Sequence, residues 1–475
     1  MKTYDIIVIG GGSGGLTVAA GAAQFGAKVA LIEKRNSLGG DCLHFGCVPS
    51  KALIAVANEV HQLYQSAEAF GVSVSGKPKW QLAKDRVHTA VSIIQENDGE
   101  KRFRELGVDV MFASATFQDS HHIQLSSGSI IEGKRIIIAT GSRPIIPEVE
   151  GIENIQILTS ETVFDMEQLP KRIVMMGAGP IGLELSQALS RLGSNVSVVD
   201  SSDLLLSKED GEVSNILLNQ LKKELEFLSS STVEKVIQRD GKTFVRVKGQ
   251  HAREIEADAL FLAIGRRPNS DTLNLEKAGV NVNQKGEIIV KETMQTSEPH
   301  IYALGDVNGA FPFTHGASHE GKVVVANAVF GLKRKVSYEN VPWVYYTDPE
   351  IFHLGMTESE VKEQRGSNYK VYRMDHNHVD RMIAEMDNQS MIKIITDNKG
   401  MILGAHGVGG NVSDWMQQLV YMKTNGESVK KISNSVYPYP SRSEIVKNAG
   451  DLYWREKLFG SSLSKMMSQY VSWFR

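Results

Sequence analysis

An α/β architecture in which one strand–helix–strand unit occurs twice is what this sequence predicts, and three observations carry that prediction. A short apolar strand at 4–9 runs directly into a glycine cluster at 10–15, and the pattern returns at 172–182. Between the two copies lie the only 2 cysteines of a 475-residue chain, both inside the string 39–51. A repeated parallel-sheet unit beside an isolated thiol pair points to a multidomain enzyme of redox chemistry.

The first copy justifies itself element by element. Residues 4–9 read as a buried strand, and Gly10, Gly12 and Gly15 follow in G-x-G-x-x-G spacing, with an alanine-rich helical stretch after them. Residues 27–33 form a second strand ending in Glu33, 18 positions past Gly15. Glycines let backbone amides approach a pyrophosphate, the helix N-terminus favours its charge, and the acid suits a ribose diol. The second copy has its strand at 172–176, then Gly177, Gly179 and Gly182, a helix, and a strand ending at Asp200. Asp200 favours a free 2′-hydroxyl, and Ser201 and Ser202 follow it without the arginines a 2′-phosphate would want. The second site is therefore expected to take NADH, with NADPH the lesser alternative.

The cysteines come next. Pro49 suits the first turn of a helix, which leaves Cys47 at its N-terminus, where the dipole lowers a thiol pKa. Lys51, four residues on, adds positive charge along the same face. Cys42 and Cys47 read as a redox-active dithiol/disulfide, the alternative being two buried structural thiols. No metal site is expected.

Composition bounds the rest. With 41% hydrophobic and 23% charged residues and a net charge of −3, the chain has ordinary globular composition and no nucleic-acid footprint. Asp5 and the glycine cluster interrupt what would otherwise resemble a signal peptide, and no apolar run approaches the ~20 residues of a membrane span. The expected compartment is the cytoplasm.

Four further strings, 139–144, 263–269, 302–306 and 347–350, complete a pattern over nearly the whole chain. With the fingerprints and the dithiol string, the sequence resembles the class I pyridine nucleotide–disulfide oxidoreductases, which include lipoamide dehydrogenase, glutathione reductase and mercuric reductase. The resemblance implies an α/β fold of two Rossmann-like dinucleotide-binding domains plus a C-terminal α+β dimerisation domain. It places the first part of an FAD-binding domain at 1–155, an NAD-binding domain at 156–275, a return to the flavin domain at 276–335, and an interface domain at 336–475. FAD would be held by Gly10, Gly12, Gly15, Glu33, Lys51, Gly141 and Asp306, and the nicotinamide nucleotide by Gly177, Gly179, Gly182, Asp200 and Gly265. Cys47 would face the flavin as the charge-transfer thiol and Cys42 would exchange with substrate. Glu184 matches the acid that pairs with the Lys51 position, and the active enzyme would be a homodimer.

The same resemblance defines departures. Disulfide-reducing members carry a C-terminal His, supplied by the partner subunit, as proton shuttle. Here Tyr439 stands in its place, while Glu444, five positions on, is in register. A phenol of pKa ~10 is a poor base at neutral pH. Mercuric reductases, brought to mind by Gly40-Asp41-Cys42 and by 379–384, use a second cysteine pair that this chain lacks. His44 is a candidate to tune Cys42, against a solvent-facing alternative, whereas His376 and His378 read as surface or interface residues. Finally Phe459, Leu463, Met466, Met467, Tyr470, Val471 and Phe474 recur at helical spacing with Lys457, Lys465 and Arg475 interspersed. Such a face packs on its own subunit, on a membrane surface or on a partner.

The expected activity is transfer of electrons from NADH through FAD and the Cys42/Cys47 pair to a small disulfide or another acceptor. The alternatives are a dihydrolipoamide dehydrogenase, a mercuric reductase-like reductase of metal ions or quinones, and a redox-sensing binding flavoprotein.

Overall fold

The computed structural model describes residues 1–459 and 462–474, with the backbone alone described for 462–465. The chain divides into two compact units, one made of 1–203 and 226–338, the other of 204–225 and 339–475.

In the first unit, strand β1 (Lys2–Ile9) leads through the glycine cluster into helix α1 (Ser13–Gln24) and strand β2 (Val29–Glu33). β1 pairs parallel with β2, with Ile6 opposite Val29 and Val8 opposite Leu31. Ile6, Ile7 and Val8 are all buried, which explains why this strand reads as a continuous apolar run and does not alternate. Helix α2 (Gly40–His44) and helix α3 (Cys47–Ala69) follow at once. Strand β3 (Asp109–Phe112) extends the sheet beyond β2, and strand β4 (Ile130–Ile138) pairs parallel with the other side of β1.

The second fingerprint repeats this geometry in a five-stranded, wholly parallel sheet. Strand β5 (Arg172–Met176) is followed by helix α4 (Pro180–Arg191) and strand β6 (Asn195–Val199), and strand β7 (Ala259–Leu262) lies on the far side of β5. Proline at the first helical position of α4 costs no hydrogen bond. The chain then returns to the first sheet: strand β8 (Ile301–Ala303) pairs parallel with β4, and helix α5 (Thr314–Phe330) follows it.

The second unit is built on a five-stranded antiparallel sheet from residues 343–409. Its core includes Phe352, Ile392, Ile394, Ala405, Met416 and Ile445. The helix Gly211–Leu221, from the middle of the chain, belongs to this unit. Helix α6 (Glu444–Phe459) and helix α7 (Ser462–Trp473) close the chain. Met466, Met467, Tyr470, Val471, Trp473 and Phe474 are all exposed, so packing of that face on its own subunit is not what the described residues show. Among the described residues no helix is long and apolar enough to cross a membrane.

Candidate active site

The two glycine loops do the same thing twice. A Cβ on Gly10, whose φ is +111°, would meet the Ala139 carbonyl oxygen at 2.2 Å, and one on Gly177 (φ +100°) would meet that of Ala263 at 2.4 Å. A Cβ on Gly15 or Gly182 would strike the carbonyl oxygen of Gly10 or Gly177, in both cases at 2.0 Å. The middle glycines differ. A Cβ on Gly12 would meet nothing closer than the Gly40 Cα at 3.8 Å, and one on Gly179 nothing within 4 Å. The outer glycines thus fold the turn and seat the helix, while the middle one presents bare backbone to open space. At the strand ends, Glu33 accepts a hydrogen bond from Gly11 N at 2.7 Å and Asp200 accepts one from Ala178 N at 2.7 Å, so each acid is oriented by its own fingerprint loop. Asp200 also accepts from Ser202 N at 2.8 Å.

Beside the first loop lies the thiol pair. Cys47 is the first residue of α3 and is exposed, Cys42 sits within α2 and is half-buried, and both thiols are free. The two thiols act on one another, and this shifts their acidities in opposite directions. Cys47 is lowered to about 6, by the proton donated from Cys42 first, against its burial, then by the Thr314 hydroxyl and the Lys51 charge. Cys42, which holds that proton and is partly buried, is pushed up. The Thr314 hydroxyl, at the N-terminus of α5, lies 3.2 Å from Cys47 Sγ, within reach to donate to a thiolate there. One thiolate is thus favoured at Cys47 and one proton is stored at Cys42.

Lys51, one turn along α3, reaches Glu184 of α4 at 2.6 Å, and Glu184 is almost fully buried. A cation is therefore held at the thiol site by an anion that water barely screens. Asp41, next to Cys42, accepts from Arg266 Nη2 at 2.9 Å. Burial pushes the Asp41 carboxyl up, and Arg266 opposes that shift. Arg266 also donates to the Ser142 hydroxyl at 2.7 Å, and Ser142 in turn donates to Asp306 at 2.6 Å. The strings beginning at Gly141 and Gly265 meet here, because strands Ser142–Pro144 and Arg266–Pro268 pair antiparallel. The turn carrying Asp306 is pinned from beneath by buried Glu320, which accepts from Gly305 N at 2.6 Å.

His44 is held by the loop ahead of its own helix. Its Nε2 lies 2.9 Å from the Leu38 carbonyl and 3.3 Å from Ser37 Oγ, so it ties the loop ahead of α2 and is only half-exposed. In the second unit, the exposed Tyr439 donates to Asp380 at 2.8 Å, which raises the phenol pKa further. Glu444 instead accepts from Ser441 N at 3.1 Å, at the start of α6. His376 and His378 lie in a short exposed turn, with His378 Nδ1 3.1 Å from Asp375. Thr314, Arg266, Glu320 and Asp380 were missed by sequence reasoning. Of these, Arg266 and Asp380 stood in strings that had drawn notice, 263–269 and 379–384.

Comparison with known proteins agrees with this geometry. Residues 4–321 match the model of the pyridine nucleotide-disulphide oxidoreductase family, and residues 341–450 match its dimerisation domain. The mercuric reductase of Staphylococcus aureus is 33% identical over 451 residues, covering 94% of this chain and 82% of that protein. Dihydrolipoyl dehydrogenase 3 of Pseudomonas putida is 33% identical over 460 residues, covering 94% of this chain and 98% of that protein. The HOCl-induced flavoprotein disulfide reductase RclA of Escherichia coli, solved as a Cu(II) complex, superposes with a TM-score of 0.84. The identity there is 25%, over 95% of this chain and 100% of that one. The cofactors these matches imply, FAD and a pyridine nucleotide, fit the two loops: each has an open middle glycine, an oriented acid and a helix N-terminus.

Proposed function

Since the chain belongs to the pyridine nucleotide-disulphide oxidoreductase family, we propose that it carries electrons from NADH, through FAD, to Cys42 and Cys47 and on to a small disulfide. The observation that carries this reading is the polarised thiol pair, with Cys47 lowered to about 6 beside Lys51 and Thr314 while Cys42 keeps its proton. FAD, when bound, supplies two-electron transfer between the nicotinamide and the cysteine disulfide.

The protein's own residues do the rest. Gly10, Gly12, Gly15, Glu33, Gly141 and Asp306 hold FAD, while Gly177, Gly179, Gly182, Asp200 and Gly265 hold the nucleotide. Asp200, with both its oxygens engaged by backbone N–H groups and serines following it, suits a 2′-hydroxyl and disfavours a phosphate. Reduction of the Cys42–Cys47 bond leaves a thiolate on Cys47, which Thr314 and Lys51 stabilise. Cys42, once its proton is lost, attacks the acceptor disulfide and releases one thiolate. Cys47 then attacks Cys42, re-forms the internal bond and releases the second. In the homodimer the partner subunit's Tyr439 and Glu444 take the place of the family's acid–base pair.

A second reading, reduction of a soft thiophilic metal ion, is favoured by Tyr439. A phenol with a raised pKa is a poor base, and a metal ion leaves without needing a proton. The domain boundaries at 155, 275 and 335 belong to the same proposal, as does a cytoplasmic location.

The test is anaerobic titration of the FAD-loaded dimer with NADH and, separately, NADPH. NADH should produce a long-wavelength thiolate-to-flavin absorption band that disappears below a midpoint near pH 6, and NADPH should be the slower reductant. Cys42→Ser should keep that band without reduction and abolish turnover with disulfides. A flavin-loaded protein that shows no band at any pH would remove the thiol pair from the electron path.

A further inference from the structure

We infer that helix α7 is an interfacial anchor that lays this enzyme on an anionic lipid surface. The segment lies outside the chemistry described above and beyond both family matches, the second of which stops at residue 450. The stretch matched to the dimerisation domain therefore ends before α7 begins.

The helix divides cleanly. At 100° per residue, Met466, Met467, Tyr470, Val471, Trp473 and Phe474 fall on one arc, and Ser468, Gln469 and Ser472 occupy the other. All six apolar residues are exposed, Trp473 to 90%. Phe459, at the end of α6, is exposed as well, at 75%. A helix of 12 residues is marginal in water by itself, so a face this apolar is stable as helix only when something covers it. What covers it is indicated by charge. From Lys457 to the last residue the chain holds Lys457, Lys465 and Arg475 and no Asp or Glu. Aromatic and methionine side chains opposite a polar face, in a segment that carries cations and no acid, fit the boundary between headgroups and acyl chains. A protein groove would also need acidic residues to meet those cations, whereas an anionic bilayer supplies them everywhere. With 12 residues, α7 is too short to cross the hydrocarbon core of a bilayer, so the attachment is to its surface.

The experiment uses the FAD-loaded full-length dimer and sedimentable vesicles of phosphatidylcholine, with or without phosphatidylglycerol. Binding should be at least tenfold stronger to vesicles containing phosphatidylglycerol, should weaken in high salt, and should shift Trp473 fluorescence to the blue. Lys465→Gln should weaken it about fivefold, and Tyr470→Ser combined with Trp473→Ser should abolish it, while NADH-driven turnover in solution stays unchanged. Equal or undetectable binding to both vesicle types overturns the inference. So does a fall in oligomer size on sedimentation velocity for the double variant, which would mean that α7 is covered by another copy. Lys465→Gln removes one charge without touching the apolar face, so a folding defect in the double variant would not mask the result.

Discussion

Asp41 sets an anion beside two thiols, one of which its surroundings favour as a thiolate. Its charge raises both thiol pKa values, whereas Thr314 lowers both, and Arg266 holds the carboxylate in place. The sign of two substitutions follows. Asp41→Asn removes a repulsion, so the Cys47 thiolate band should persist to a lower pH than in the parent enzyme. Thr314→Val removes a donor, so the band should vanish at a higher pH. Shifts of about one pH unit, roughly 1.4 kcal/mol each, are expected in anaerobic spectra of the reduced protein. Equal midpoints in both variants would mean that neither group acts on the thiol. The Cys47–Lys51 relation was legible in the sequence because one helical turn fixes it. Thr314 lies 267 positions from Cys47 and Arg266 lies 225 from Asp41, and no local period relates residues so far apart. His44 illustrates the converse: closeness in sequence suggested the thiols, yet a backbone carbonyl at Leu38 holds its ring.

Elements whose form follows from periodicity were the ones that could be read. Both fingerprint units were visible because each combines a buried strand, a glycine turn and a helix, whose backbone demands are local. The second unit was legible only through its resemblance to known proteins. Its least expected feature is Lys393, in the strand Met391–Thr396, which is 3% exposed and pairs with Asp210 at 3.0 Å, Glu212 at 2.8 Å and Glu358 at 2.5 Å. Glu212 is lowered to about 2, by Arg373 first and, against burial, by Lys393. Asp210 also caps the helix Gly211–Leu221 by accepting from Glu212 N at 3.2 Å. One lysine thus ties a mid-chain helix to the antiparallel sheet. Lys393→Ala strands the buried Asp210 carboxylate and should cost about 3–5 kcal/mol, read as a lower Tm and a lower urea midpoint for unfolding. The sequence did carry a sign of this. A lysine amid Met391, Ile392, Ile394 and Ile395 is expensive to bury without partners, although nothing local names those partners.

For the whole molecule, the decisive departure from the disulfide-reducing pattern is Tyr439, which in the function proposed above takes the place of the family's acid–base histidine. Tyr439 is exposed and its hydroxyl is engaged by Asp380, which raises its pKa, so at neutral pH it can donate a proton but is slow to take one. Oxidation of dihydrolipoamide needs a base to accept the incoming thiol's proton, whereas in reduction of a disulfide the proton that Cys42 gives up can pass to the thiolate that leaves. The enzyme should therefore favour the reductive direction. Tyr439→His supplies a base that titrates near ~6.5, and a well-placed general base contributes about 10²–10⁴-fold. Dihydrolipoamide oxidation should rise at least tenfold in kcat/KM in this variant, with a new limb in its pH profile near neutrality. NADH-driven reduction of the natural acceptor should change little, because its electrons still leave through Cys42. Fast dihydrolipoamide oxidation by the parent enzyme would instead assign the proton to another group, and the exchange of His for Tyr would then have no bearing on the direction of flow.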